Sequence, residues 1–144
     1  MQKMKTNNSL LLLCFCVWIF SSCKTGNSYK VEDLTGRWTI ISVKNEPVQS
    51  AITPFFEFDV SEKRVHGNTS CNTFNSAFVT DAKDKTAIKF VAPVSTMMAC
   101  INMETETKIL QVILDISHVK KDETANRIKL VDKNGHTMLL MEKR

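Results

Sequence analysis

The sequence predicts an α+β domain made mainly of β-strands, with one helix inserted after Cys100. Three observations carry this. Short runs of β-branched and aromatic residues recur between turn-forming clusters. Only the stretch from Asn102 to Ser117 spaces its apolar residues at the helical period. Near the end, an Asn-Gly pair separates two further strand-like runs, which is a hairpin signal.

Taken in order, Arg37 to Val43 (RWTIISV) is the first strand, and Asn45 to Pro47 supplies a turn. Trp38, after Gly36, reads as a core residue, the other reading being an aromatic binding face. In Phe55 to Val60, Phe56, Phe58 and Val60 fall on one face and Phe55 on the other. The SEKR turn then leads into VHGN, so residues 55–68 form a hairpin. Phe74 and Phe78 stand four apart, which fits either period. The Asn, Ser and Thr between them are poor helix formers, so a strand is expected. Asp81 to Lys85 is a charged turn, and Thr86 to Val91 a strand ended by Pro93. In the helical stretch, Met103, Leu110, Ile113, Leu114 and Ile116 form the apolar stripe. Asn102 is the expected N-cap, and Glu104 and Glu106 sit where the helix dipole favours negative charge. Asn126 to Asp132 and His136 to Glu142 close the domain around Lys133-Asn134-Gly135, where a type I′ turn is expected.

The first two dozen residues give an address. Lys3 and Lys5 precede the eleven-residue apolar run Leu10 to Phe20. That is well short of the roughly 20 residues a membrane-spanning helix needs, and it has the charge order of a secretory signal. Phe20-Ser21-Ser22-Cys23 resembles the bacterial lipobox, in which the cysteine is lipidated and begins the mature chain. Phe20 stands where that pattern prefers Leu. The expected layout is a signal peptide over residues 1–22, a lipidated Cys23 with a polar tether over 23–30, and a domain over 31–142. The membrane is the partner through Cys23. The expected location is the cell envelope, at the outer membrane facing the periplasm.

Removing the signal leaves two of the five cysteines, Cys71 and Cys100, for the exported domain. In an oxidising compartment two such thiols are most often bonded to each other. Two unpaired structural thiols, a metal ligand, or a thiolate nucleophile at Cys71 with His66 as its base are the other readings. Net charge falls from +4 for the chain to about +2 without the two signal lysines, and no basic stripe emerges. Nucleic acid is therefore not an expected partner. Met97, Met98 and Met103 have the softness to hold Cu(I), but methionine also fills irregular core gaps. His66, His118 and His136 are widely spaced and lack a paired-ligand motif, so no metal or cofactor is expected.

Leu34 to Trp38 (LTGRW), Gly67 to Phe74 (GNTSCNTF), Ser95 to Cys100 (STMMAC) and Ile128 to Leu140 stand in the order found in META domains. The chain resembles that family, which includes the HslJ-like bacterial lipoproteins. The positions carrying the resemblance are Gly36, Trp38, Gly67, Cys71, Asn72, Thr96, Met98 and Cys100. It departs at Ser70, where the family usually has Gly, and at Ser76 and Phe78, where Gly and Tyr are common. The resemblance implies a strongly curved, barrel-like antiparallel sheet with one helix packed against it. It implies no established activity, and it carries an association with envelope stress. The expected function is a non-enzymatic envelope module that binds another protein or a small apolar ligand. The alternative is a thiol-dependent or other hydrolytic enzyme centred on Cys71 and His66.

Overall fold

The computed structural model describes residues 28–144, so the expected signal over residues 1–22 and Cys23 lie outside the described residues. A 3-10 turn at Val31–Leu34 leads into β1 (Gly36–Val43), β2 (Glu46–Pro47), β3 (Phe55–Asp59), β4 (Arg64–Asn68) and β5 (Thr73–Thr80). Then come β6 (Ile88–Phe90), β7 (Val94–Ser95), α1 (Glu104–Ile113), β8 (His118–Lys121), β9 (Arg127–Val131) and β10 (Thr137–Lys143). The strands form one antiparallel sheet in the order β6-β5-β4-β3-β1-β10-β9-β8, with β2 added to β1 and β7 to β5. Its two ends nearly meet. Ala87 bridges to His118, Ile88 N donates to Ser117 O at 2.9 Å, and Val119 N donates to Thr86 O at 2.9 Å. The result is a nearly closed barrel with one helix packed against it, an α+β fold.

Alternation fills the interior. Phe56 and Phe58 of β3, Val65 of β4, and Phe74 and Phe78 of β5 are all buried, while their neighbours point outward. Phe56 and Phe74 stack at a tilt with centroids 4.7 Å apart, and Phe90 lies edge-on to Phe78 at 6.3 Å. Such pairs contribute beyond their buried area. Gly67 is required by this packing. A Cβ there would overlap the Phe55 carbonyl oxygen and stand 3.0 Å from the Phe74 ring. Trp38 is a core residue, and its Nε1 donates to the Leu34 carbonyl at 2.6 Å.

Strand register places the ends of β1, β4, β3 and β5 at Val43, Asn68, Phe55 and Thr73 on one rim. Helix α1 sits at that rim, burying Ile109, Val112 and Ile113. Lys108 reaches Glu46 of β2 at 2.6 Å and Glu104 one helical turn back at 2.8 Å.

Several local expectations are revised. The helix is ten residues, Glu104–Ile113, and its buried face runs through Ile109 and Val112 while Leu114 is exposed. Met103 occupies the N-cap, but Asn102 still accepts the Glu104 amide at 3.0 Å. The first turn lies one residue earlier than expected. Lys44 and Asn45 both have positive φ, and Glu46–Pro47 pair with β1 as an edge strand, where a proline without N–H is tolerated. The Asn-Gly turn is not type I′, because Gly135 has positive φ and Asn134 does not. Asp132 decides this. Its Oδ1 accepts the amides of Asn134 at 2.9 Å and His136 at 2.8 Å, holding a three-residue loop that ends on a left-handed glycine.

Candidate functional site

Six of the eight positions that carry the family resemblance, Gly67, Cys71, Asn72, Thr96, Met98 and Cys100, converge at the rim covered by α1. Residues 69–72 form a tight loop between β4 and β5, in which Thr69 N donates to Asn72 O at 2.9 Å and Ser70 N to Asn68 Oδ1 at 2.7 Å. Cys71 is joined to Cys100 by a disulfide, with Cα atoms 6.1 Å apart. Beside it the Asn72 side chain, 1 % exposed, uses all its polar capacity. Its Oδ1 accepts from Thr96 Oγ1 at 2.7 Å and Met98 N at 2.8 Å. Its Nδ2 donates to Met98 O at 3.1 Å and Glu106 Oε1 at 2.9 Å. Asn72 thus pairs with Met98 as a backbone amide would, extending the ladder past Thr96 N, which donates to Thr73 O at 3.0 Å.

Glu106 is the residue sequence reasoning missed. It is 4 % exposed, and Oε2 accepts the Asn72 amide at 2.7 Å. The Thr69 hydroxyl lies 2.9 Å from that oxygen and 3.0 Å from the Asn72 carbonyl, and can serve one of them at a time. Burying a carboxylate is costly unless it is hydrogen-bonded, and here every contact is a donor aimed at it. Ser70 also departs from expectation. Its φ is +94°, a conformation suited to glycine, and its Oγ is buried without a partner.

This buried polar node carries an apolar ledge. Met97 is 97 % exposed, Val94 76 % and Met98 57 %, and Ile101 is fully exposed. The methionines are therefore surface residues rather than core filler. A cleft of about 390 Å³ lies on one side, lined by Met97, Met98, Met103 and Leu110 above Asn72 and Glu106. On the other side a cleft of about 620 Å³ is lined by Ile52, Ala99, Cys100 and Ile101.

His66 is not part of this group. It is exposed on β4, with Nε2 3.7 Å from Glu57 Oε2. Cys71, as a disulfide sulfur, offers no thiolate for such a base to generate. Gly36, with φ +101°, starts β1 away from the node, beside Trp38 in the core.

A nearly closed barrel capped by a helix whose buried carboxylate binds a Cys-Asn loop defines the class. The chain belongs to the META domain family, which matches residues 32–144. That is not a known enzyme family. An NMR structure of a protein from Burkholderia xenovorans is similar, with a TM-score of 0.60 and 15 % identity over 78 % of this chain and 85 % of that one. A second protein solved by NMR is similar with a TM-score of 0.54 and 20 % identity, over 76 % of this chain and 89 % of that one. At these identities the likeness is one of fold. No curated protein matches the chain.

Proposed function

We propose that this protein is a membrane-anchored envelope lipoprotein whose META domain is a non-enzymatic binding module, with the ledge from Val94 to Met103 taking another protein. The observation that carries this reading is the pairing of a buried, hydrogen-bonded Asn72–Glu106 node with an exposed apolar surface. Asn72, Glu106 and the disulfide are committed to holding the strip in place, while Met97 and Ile101 face solvent. Contiguous exposed apolar surface of this kind marks interaction sites. In this reading residues 1–22 are the signal, Cys23 bears the lipid, 23–30 are the tether and 31–142 the domain.

Two experiments test it. Cys23→Ala should move the protein from membranes to the soluble fraction, and retention at the membrane would refute the anchor. Met97→Asp with Ile101→Asp should leave thermal unfolding unchanged but remove the protein from any complex resolved on native gels of membrane extracts. An unchanged complex would refute the ledge. A small apolar ligand is the second reading. It is favoured by a cleft of about 580 Å³ at the barrel seam, with Ala87, Ile88 and Ile116 in its lining and Val79 and Leu114 exposed beside them. A Leu114→Asp variant that still binds an apolar fluorophore as well as wild type would exclude that cleft.

A further inference from the structure

The segment from Val94 to Ala99 begins as the two-residue edge strand β7 (Val94–Ser95) and runs on with one side fastened. Its hydrogen bonds alternate. Val94 lies opposite Asn75 of β5, Thr96 N donates to Thr73 O, and both main-chain groups of Met98 are held by Asn72. Antiparallel ladders bond on alternate residues, so Ser95, Met97 and Ala99 turn their N–H and C=O groups outward. Met97 and Ala99 make no main-chain hydrogen bond among the described residues. Natural edges are usually protected by charge, by bulges or by a covering element. Here no charged residue occurs from Val91 to Met103, in a chain that is 24 % charged.

Resting on the reading of this ledge as a protein-binding surface, we infer that its partner is a second copy of this chain, paired edge to edge and antiparallel about a two-fold axis at Met97. The side chains suit that symmetry. Met97 shares its face with Ser95 and Ala99, two small residues that leave room on either side for the partner's methionine. Centred there, Met97 faces Met97 and Ser95 faces Ala99, and each copy satisfies the other's outward groups. Two-fold interfaces are self-complementary by construction, and an uncharged strip offers no like-charge repulsion against its own copy.

The register is testable in the full chain in its membranes. In a hydrogen-bonded antiparallel pair, opposed Cα atoms lie about 5.5 Å apart, inside the window for a disulfide. Met97→Cys under a mild oxidant should therefore give a reducible species of twice the chain mass. Ile101→Cys, equally exposed, would lie roughly 26 Å from its own copy in this register and should give at least ten-fold less. Equal crosslinking of the two variants would overturn the inference. A photo-crosslinking residue at Met97 separates the remaining cases. Adducts with the same chain support pairing. Adducts only with a different protein overturn the second copy but leave the ledge as a protein-binding surface, and no adduct at all overturns both.

Discussion

The side-chain amide of Asn72 pairs with both main-chain groups of Met98, accepting from its N–H at 2.8 Å and donating to its carbonyl at 3.1 Å. A side chain here does the work of a strand. It joins the Cys71 loop, the exposed strip and, through Glu106, the helix.

Replacing Asn72 therefore strikes three segments. Asn72→Ala should lower stability by roughly 2–4 kcal/mol, because the Met98 amide and the buried Glu106 carboxylate each lose a partner. Asn72→Asp should be no better, since it keeps the shape but turns a donor into an oxygen facing Glu106. Urea denaturation measures both, and a loss below about 1 kcal/mol for Asn72→Ala would show that the pairing contributes little.

Glu106→Gln tests the same node from the helix. Both carboxylate oxygens accept from nitrogen or hydroxyl donors, so either orientation of the glutamine amide sets a donor against a donor. This nearly isosteric change should cost about 1–3 kcal/mol in chemical denaturation. A neutral outcome would mean that the carboxylate is not needed as a double acceptor.

The disulfide closes a loop with a sequence separation of 29. Cys71→Ser and Cys100→Ser should each lower stability by a similar amount, roughly 2–4 kcal/mol. The double variant should be little worse, because each change removes the same crosslink. Additive losses in oxidising denaturation series would contradict this.

Ser70→Gly should stabilise the domain. The left-handed φ costs of order 1–3 kcal/mol for a residue with a Cβ, and the orphan hydroxyl adds to that. Glycine's greater freedom in the unfolded chain takes back about 0.5–1 kcal/mol. A higher Tm is expected, and a lower one would show that the serine is accommodated without strain.

Asp132 gives the pH dependence its sign. Burial acts to raise its pKa, but hydrogen bonds from the His136 side chain and from the His136 and Asn134 amides leave it below the usual carboxylate value. A carboxyl lowered by folding contributes stability above its unfolded value, near 3.8, and loses it as pH falls through the folded one. Wild type should exceed Asp132→Asn in stability at neutral pH, with the gap closing in acid. A gap that persists in acid would point to shape rather than charge.

Much of the fold was legible because alternation and turn chemistry are local. The Phe56/Phe58 face and the 55–68 hairpin follow from period alone, as does the helix after Cys100. The turn at Lys44-Asn45 was placed one residue late, and the turn at Lys133–Gly135 was placed correctly but given the wrong type. Strand register and the Asp132 side chain, two and four residues before the amides it holds, choose the conformation rather than the Asn-Gly pair itself. Glu106 was hidden for a related reason. An acidic residue in a helix's first turn is expected at the surface, and only the tertiary approach of Thr69 and Asn72, more than thirty positions earlier, makes its burial tolerable. The exposed methionines were hidden too, since nothing in TMMAC distinguishes a ledge from a core segment.

Hydrogen exchange at the Met98 amide tests most directly whether Asn72 holds the strip. In the wild type that amide should be protected by its bond to Asn72 Oδ1, and in Asn72→Ala, with the disulfide intact, the protection should fall by at least ten-fold. Fast exchange at Met98 in the wild type, or equal protection in the variant, would contradict the claim that this side chain fixes the ledge.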